Sequence, residues 1–274
     1  MTDVISFPGL GLEFEINRVA LSLGSIDIYW YAVLIATGFM LAMLFAFKNA
    51  KRFGIDGDRI VDVIFFAMIL GIIGARAYYV AFQWDMYKDN PISILYIWEG
   101  GLAIYGGVIG ALIGVAVYCK VRKIKLPALL DLVALGFLIG QCVGRWGNFF
   151  NREAFGAATD SFFRMGLFNT RTGAWEYYHP TFLYESLWNA VGFVALHFLS
   201  KKRQYDGQIA LGYAAWYGLG RAFIEGLRMD SLYWGSFRVS QVLAAVSCFA
   251  AVTVLVAMHF KKNKKPLFVN RQIP

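Results

Sequence analysis

The stretch LLDLVALGFLIGQCV, residues 129–143, is apolar enough to cross a membrane, and it continues directly into GRWGNFFNREAFG, residues 144–156. This second stretch places five charged or amide side chains within nine residues: Arg145, Asn148, Asn151, Arg152 and Glu153. Ionisable groups close to hydrocarbon are costly, and they commonly face a cavity or a pathway. The stretch therefore predicts a membrane helix that ends at a polar site.

The composition also indicates a membrane protein. Of the 274 residues, 58% are hydrophobic and only 16% are charged, whereas soluble domains carry about 25% charged residues. Seven apolar stretches approach the ~20 residues that a helix needs to cross ~30 Å of hydrocarbon. We therefore expect an all-α, polytopic membrane protein with one transmembrane domain, residues 1–274, and spans at Ser25–Phe47, Arg59–Phe82, Ile94–Cys119, Pro127–Phe149, Pro180–Ser200, Gln208–Arg228 and Arg238–Phe260.

The basic residues predict the orientation of these spans. Sixteen Lys and Arg residues lie with the segments that follow the first, third, fifth and seventh spans, and six lie on the opposite side. The amino terminus is therefore expected outside and the carboxy terminus in the cytoplasm. The formal net charge of +8 then reflects this topology and attraction to anionic lipid headgroups, so no nucleic-acid partner is expected.

Two segments are predicted to lie on the outer face. Residues 1–24 lack a basic start and contain Asp3, Glu13 and Glu15, so they do not resemble a secretory signal and are expected along the membrane surface. Residues 151–179 form the longest outer segment, a loop or a small subdomain. The cysteines have no paired spacing, so neither a disulfide framework nor a metal site is expected from Cys119, Cys142 and Cys248.

The polar residues of GRWGNFFNREAFG are predicted to share one face. On a continuous helix of about 3.6 residues per turn, Arg145, Asn148 and Arg152 point the same way. A guanidinium beside amides suits a phosphate or carboxylate oxygen. An interhelical ion pair or snorkelling side chains would explain the same residues, and this second interpretation is favoured for Arg152.

A second polar face is predicted in WYGLGRAFIEGLRMD, residues 216–230. Helical spacing places Tyr217, Arg221, Glu225 and Arg228 on one side. Arg221 and Glu225 are spaced i, i+4 and could pair with each other in a purely structural role. Two arginines against one glutamate nevertheless leave a positive face, which favours a bound anion.

Two further motifs leave alternatives open. In EGGLAIYGGVIG, residues 99–110, glycine pairs on both sides of Tyr105 could permit close helix packing or the approach of a ligand. Tyr29-Trp30-Tyr31 is explained equally well by a site and by an aromatic belt at the interface. HPTFLYES, residues 179–186, adds Glu185 in the first turns of the fifth span. Together these residues predict an outer-leaflet cavity for an anion that partitions into the bilayer, and a phospholipid is the commonest such molecule.

The motifs resemble those of the prolipoprotein diacylglyceryl transferases, bacterial inner-membrane enzymes that begin lipoprotein maturation. The resemblance covers most of the chain and rests on five motifs in order: YWYAVLIATG, EGGLAIYGGVIG, GRWGNFFNREAFG, HPTFLYE and WYGLGRAFIEGLR. It implies a multi-pass protein of the cytoplasmic membrane that needs no cofactor. It also implies transfer of the sn-1,2-diacylglyceryl group from phosphatidylglycerol to the lipobox cysteine thiol of a preprolipoprotein, with release of sn-glycerol 1-phosphate.

The resemblance also implies roles for individual residues. Arg145 and Arg221 would bind the phosphoglycerol headgroup and stabilise the leaving phosphate. Supporting residues would shape the pocket, line the cavity or support Arg221: Tyr31, Asn148, Asn151, Glu153, Gly156, Tyr217, Glu225 and Arg228. Tyr105 departs from many relatives, which have a histidine that has been proposed as the base. Tyrosine is the poorer base at neutral pH, so Tyr105 is expected to orient the substrate unless nearby arginines activate it.

Two other functions fit the same residues. A transporter or flippase for an anionic lipid or solute would also use arginines within the membrane. Transporters often contain paired repeats, and no convincing repeat is present in this sequence. A scaffold that binds phospholipid without catalysis is the other alternative. Supplying purified protein with phosphatidylglycerol and a lipobox peptide separates the three.

Overall fold

The computed structural model describes residues 2–170, 172–229, 233–235, 237–262 and 264–269, without the side chains of Thr2 and Asp3. These ranges are mostly helical and contain seven α-helices: α1 (Trp30–Asn49), α2 (Gly57–Phe82), α3 (Ile104–Val121), α4 (Leu126–Asn151), α5 (Thr181–Ser200), α6 (Gln208–Glu225) and α7 (Val239–Phe260). A mostly helical architecture is thus confirmed, whereas the expectation of an all-α protein is wrong, because the described residues also contain β-strands.

Six of the seven helices are long and apolar enough to cross a membrane, and among the described residues α6 is the helix that falls short. The reason is its polar content, since Gln208, Arg221 and Glu225 all lie within its 18 residues. Six such helices support a multi-pass membrane protein. Seven crossings and an external amino terminus stay predictions.

Two expected spans begin in the wrong place. The third was expected from Ile94, but α3 begins at Ile104. Residues 91–95 and 97–99 form short 3-10 turns, and the backbone then takes positive φ values of 92° at Gly100 and 69° at Gly101. That left-handed conformation cannot continue a helix, and it favours glycine. The first span was expected from Ser25, but Ile26–Tyr29 form a strand before α1.

The chain divides into two compact units. The first unit comprises the described residues of Met1–Phe45 and Asp131–Lys265. The second comprises those of Ala46–Leu130 and Pro266–Pro274. The strands, all in the first unit, are β1 (Thr2–Phe7), β2 (Leu12–Asn17), β3 (Val19–Leu23), β4 (Ile26–Tyr29), β5 (Met165–Asn169), β6 (Ala174–Tyr178), β7 (Tyr233–Trp234) and β8 (Phe237–Arg238).

A four-stranded antiparallel sheet joins the two segments that were expected on the outer face. Its order is β2-β1-β5-β6, and β1 pairs with β5 through Ile5 opposite Leu167 and Ser6 opposite Gly166. Its buried face packs against the end of α4 and the start of α5 through a single apolar core of Ile5, Phe7, Ile16, Phe149, Met165 and Phe182. The sheet therefore supports the region into which GRWGNFFNREAFG leads.

A reciprocal tryptophan contact joins α5 to α6. Trp188 Nε1 donates to the carbonyl of Trp216, and Trp216 Nε1 donates to the carbonyl of Trp188, each at 2.9 Å. The two rings stack with centroids 4.4 Å apart. Glycine makes this possible, because a Cβ on Gly192 would lie 2.3 Å from Trp216 Nε1 and one on Gly220 would lie 2.2 Å from Trp188 Nε1. The contact fixes the relative position of two helices that carry site residues.

The other end of α6 is fixed by a carboxylate from α4. Asp131 is fully buried and accepts hydrogen bonds from the backbone N–H groups of Gly207, Ile209 and Ala210 at 2.8–2.9 Å. The first N–H groups of a helix have no partner within the helix, and an acceptor there also interacts favourably with the helix dipole. A side chain distant in sequence thus caps α6.

In the second unit, α2 and α3 approach closely at glycines. A Cβ on Gly106 would lie 2.3 Å from the carbonyl oxygen of Gly74, and one on Gly110 would lie 2.1 Å from that of Leu70. Small residues commonly allow such contact in membranes. For Gly106 and Gly110 the packing interpretation of EGGLAIYGGVIG is therefore confirmed.

Arg76, on α2, organises the segment before α3. It is 7% exposed, and its guanidinium stacks over the ring of Tyr87 at 5.1 Å. All five of its N–H donors bond to backbone carbonyls, those of Ser93, Ile94, Tyr96, Gly100 and Gly101. The conformation of residues 93–101, which form no α-helix, is thus built around one arginine.

Candidate functional site

Glu185 lies at the centre of an arginine cluster in the first unit. It occupies the second turn of α5 and is only 4% exposed. Its carboxylate contacts Arg145 Nη2, Arg221 Nη1 at 3.1 Å and Arg228 Nη1 at 3.6 Å. Three guanidiniums from different parts of the chain therefore share one buried carboxylate.

A second glutamate completes this cluster. Glu225 Oε2 lies 2.6 Å from Arg221 Nη2, so the i, i+4 pair that the sequence predicted is present. Glu225 is 2% exposed, and its backbone carbonyl also accepts a hydrogen bond from Arg238. The arginine side chains keep 12–21% of their surface exposed, so none of the three is fully enclosed by the protein.

Amide groups extend the network from Arg145 along GRWGNFFNREAFG. Arg145 Nη1 donates to Asn148 Oδ1 at 3.4 Å. Asn148 and Asn151 both donate to Glu153 Oε1, at 3.0 and 3.2 Å. Four of the residues that the sequence assigned to this site are therefore linked directly to one another.

A cavity of about 360 Å³ opens beside Glu153. Its lining combines residues from the strand region before α1, from the start of α1 and from the end of α4 and the segment after it, namely Arg18, Tyr29, Tyr31, Ala32, Asn151 and Glu153. Tyr31 can reach this position because residue 147 is glycine, and a Cβ there would lie 2.7 Å from Tyr31 Cδ2. The predicted role of Tyr31 as a lining residue of the cavity thus has a structural basis.

Gly156 lies where three parts of the chain meet. Its N–H donates to the carbonyl of His179 at 2.9 Å, and the next N–H, of Ala157, donates to the carbonyl of Leu227 at 2.7 Å. A Cβ on Gly156 would lie 2.7 Å from His179 Cβ and 2.9 Å from the carbonyl oxygen of Leu227. Glycine is therefore required for the segments after α4, before α5 and after α6 to come together.

Each of the two predicted helical faces includes a residue that lies past the end of its helix. α4 ends at Asn151, and Arg152 has a positive φ of 53°. The prediction that Arg152 shares a helical face with Arg145 is therefore wrong. α6 ends at Glu225, so Arg228 is not on the helix either. It reaches Glu185 from the turn that follows α6, where its backbone forms an isolated antiparallel β-bridge with Gly156.

Two other predicted site residues are Tyr105 and Tyr217. Tyr105 belongs to the second unit, in the first turn of α3, and is 55% exposed. Tyr217 stacks on Tyr213 with ring centroids 5.6 Å apart. The predicted residues that the structure joins in one bonded network through Glu185 are Arg145, Asn148, Asn151, Glu153, Arg221, Glu225 and Arg228.

Sequence reasoning assigned no site role to Glu185. The residue was visible in HPTFLYES, but its arginine partners are 36 to 43 positions away along the chain, too far for helical spacing to reveal. Charge balance was the available clue, because three arginines within apolar spans require buried counter-ions.

Comparison with known proteins agrees with the motifs. The sequence profile of the prolipoprotein diacylglyceryl transferase family matches residues 18–257. Several bacteria have proteins similar to this chain that are named phosphatidylglycerol–prolipoprotein diacylglyceryl transferase. The one from Listeria monocytogenes is 43% identical over 261 residues, with 93% of this chain and 94% of the relative covered. That of Enterococcus faecalis is 42% identical over 267 residues, with 94% and 95% covered, and that of Bacillus cytotoxicus is 44% identical over 241 residues, with 86% and 89% covered.

Proposed function

Since the chain belongs to the prolipoprotein diacylglyceryl transferase family, we propose that it catalyses the first step of bacterial lipoprotein maturation. It transfers the sn-1,2-diacylglyceryl group of phosphatidylglycerol to the lipobox cysteine thiol of a preprolipoprotein. The products are a thioether and sn-glycerol 1-phosphate.

The chemistry makes one bond and breaks one bond. The cysteine sulfur bonds to the glyceryl carbon that carries the phosphate, and the bond between that carbon and the phosphate oxygen breaks. The thiol proton goes to a base, and the phosphodiester monoanion becomes a monoester with additional negative charge. Positive groups arranged in advance around the leaving oxygen lower the barrier of such a step.

The observation that carries this proposal is the shared contact of three arginines with Glu185. Within the described residues, Arg145 and Arg221 each bond to two side chains, and a guanidinium has five N–H donors. Donors therefore remain for phosphate oxygens, which arginine binds in a forked geometry. The acidic partners position these cations without saturating them.

The proposal assigns a role to each of the predicted site residues. Arg145 and Arg221 bind the phosphate and stabilise the leaving group, with Arg228 as a third cation. Asn148, Asn151 and Glu153 form the polar wall that leads to the cavity beside Tyr31, which accommodates the glycerol hydroxyls. Gly156 permits the chain crossing, while Glu225 and Tyr217 support Arg221. Tyr105 orients the substrate rather than acting as the base.

The membrane arrangement is part of the same proposal. α6 crosses the membrane in addition to the six apolar helices, which makes seven crossings. Its polar groups are tolerated because they face the arginine cluster rather than lipid. The positive-inside rule places the amino terminus, the four-stranded sheet and the site on the outer side of the cytoplasmic membrane. Membrane lipids surround the apolar helices, and one of them, phosphatidylglycerol, is the substrate.

A transporter would need no thiol acceptor and would release no glycerol phosphate.

Purified protein in phosphatidylglycerol vesicles with a lipobox peptide tests the proposal. The expected result is a diacylglyceryl-modified peptide by mass spectrometry and an equal amount of glycerol phosphate. A peptide with Ser in place of the lipobox cysteine is the control, and it should remain unmodified. Lipid binding or lipid translocation without modified peptide would reject the transferase reaction.

A further inference from the structure

The cavity beside Glu153 is lined by one positive and one negative side chain. Its six lining residues include a single guanidinium, that of Arg18, and a single carboxylate, that of Glu153. The other four are Tyr29, Tyr31, Ala32 and Asn151. Arg18 lies between β2 and β3, so the cation reaches the cavity from the strand region and not from α4. This charge is additional to the arginine cluster around Glu185.

Both charged groups of the cavity keep bonding capacity for a ligand. Glu153 accepts the amide N–H groups of Asn148 and Asn151 through Oε1, and its Oε2 has no bonded partner within the described ranges. Among the residues that the structure describes, the guanidinium of Arg18 has no hydrogen-bond or ion-pair partner. A guanidinium carries five N–H donors, so a ligand in the cavity meets an unsatisfied cation on one wall and an unsatisfied carboxylate oxygen on the other.

The headgroup is what distinguishes phosphatidylglycerol from a zwitterionic lipid such as phosphatidylethanolamine. Under the proposed function, the arginine cluster binds the phosphate, which both lipids share, so the cluster cannot tell them apart. One headgroup is an uncharged diol, and the other ends in an ammonium group. Glu153 alone would favour the ammonium group, because a carboxylate bonds more strongly to a charged donor than to a hydroxyl.

We propose that Arg18 is a specificity-determining residue that keeps ammonium headgroups out of the cavity and so favours the glycerol diol. Its positive charge opposes the attraction between Glu153 and an ammonium group. The diol is uncharged, and its hydroxyls can accept from a guanidinium and donate to a carboxylate. Specificity commonly combines such a repulsive element with an attractive one. This role rests on the proposed function, which places the headgroup in the cavity.

Removal of the Arg18 charge should therefore admit the zwitterionic lipid. Arg18→Gln keeps N–H donors in the cavity but removes the charge. Two unit charges about 6 Å apart near a protein surface interact by the equivalent of about tenfold in affinity. The ratio of kcat/KM for phosphatidylethanolamine to kcat/KM for phosphatidylglycerol should rise by that factor. The direction of this change does not depend on the other charges near the site, because the variant alters only one of them.

Transfer to a lipobox peptide is measured with each lipid in micelles of an uncharged detergent, and phosphatidylethanolamine releases phosphoethanolamine in place of glycerol phosphate. Arg18→Lys keeps the charge and should keep the ratio of the parent protein. Arg164→Gln removes an equal charge whose donors bond to backbone carbonyls and which does not line the cavity, so its ratio should also match. An unchanged or lower ratio for Arg18→Gln would overturn the proposal.

A second measurement needs no transfer from phosphatidylethanolamine. Glycerophosphoglycerol and glycerophosphoethanolamine carry the two headgroups without acyl chains. Calorimetry should show that the parent protein binds the glycerol compound more tightly and that this preference shrinks about tenfold in Arg18→Gln. Equal affinities in the parent protein, or an undiminished preference in the variant, would reject the role of Arg18. Because binding does not depend on catalysis, this result is separate from the transfer assay with phosphatidylglycerol, whose failure would reject the proposed function instead.

Discussion

Arg76 in the second unit and Arg145 in the first both lie in apolar helices just after a glycine-containing stretch, yet they bond to different kinds of partner. Arg76 donates to five backbone carbonyls. Arg145 bonds to the carboxylate of Glu185 and to the amide of Asn148. Carbonyls from a neighbouring loop use every N–H group of Arg76, whereas the partners of Arg145 leave donors for a ligand.

This difference separates an arginine that builds structure from one that we propose to bind substrate. A charged residue in a membrane span is by default a hypothesis of function, and Arg76 shows where that default fails. Its charge serves to order residues 93–101, which precede Tyr105. The predictions below test the contrast between the two arginines, from the largest expected effect to the smallest.

Replacing Arg76 should affect stability most. Arg76→Met removes the donors of five carbonyls, and each buried group left unsatisfied costs about 1–3 kcal/mol. Because some of these carbonyls regain water, we expect a total loss of about 4 kcal/mol in the free energy of unfolding. The activity of each molecule that still folds depends on how far the loop keeps its conformation. Thermal unfolding in detergent measures the effect.

Lys88→Met is the matched control for Arg76→Met. Lys88 is also a cation of the second unit, but its pair with Asp85 is on the surface, where such pairs contribute about 0–1 kcal/mol. Its unfolding temperature should remain close to that of the parent protein. Equal unfolding temperatures for Arg76→Met and Lys88→Met would contradict the structural role of Arg76.

Replacing Arg145 should affect activity while leaving stability nearly unchanged. Arg145→Lys keeps the positive charge but loses the forked donor geometry. We expect the transfer rate to fall by about 10²–10³, equivalent to about 3–4 kcal/mol, as for other donors aimed at a developing negative charge. Arg164→Lys, whose arginine bonds to carbonyls outside the cluster, should retain full activity. Turnover of Arg145→Lys within threefold of the parent would remove Arg145 from the phosphate site.

The smallest effect is expected at Tyr105. Loss of a general base typically costs 10²–10⁴ in rate, whereas loss of an orienting hydrogen bond costs about tenfold or less. We expect Tyr105→Phe to lower turnover by less than about tenfold, while Tyr96→Phe in the same unit has no effect. A hundredfold loss in the initial rate would instead assign the proton transfer to the Tyr105 hydroxyl.

Local features of the site were predictable from the sequence. The pair of Arg221 and Glu225 follows from their spacing on a helix, and it is present at 2.6 Å. The link between Arg145 and Asn148 likewise joins neighbouring turns. In both cases the partners lie within four positions, so helical geometry alone brings them together.

Features that depend on several elements were missed or misplaced. Glu185 received no role because its three partners belong to other segments. The sheet was missed because β1 and β5 are separated by more than 150 residues. The helical faces predicted from Arg145 and from Arg221 were extended too far, since Arg152 and Arg228 continue a helical periodicity in the sequence after the backbone has already left the helix.

The sequence by itself determined the multi-pass membrane character of this protein, the approximate position of its apolar helices, its family, and the contacts between residues one helical turn apart. Hydropathy and helical periodicity are local properties, so they need no knowledge of the rest of the fold. Tertiary structure decided which arginines are satisfied by carbonyls and which share a carboxylate, and it placed Glu185 among three of them. The reason is that a buried charge takes the partners that long-range packing brings within about 4 Å, and those partners here lie tens of residues away along the chain.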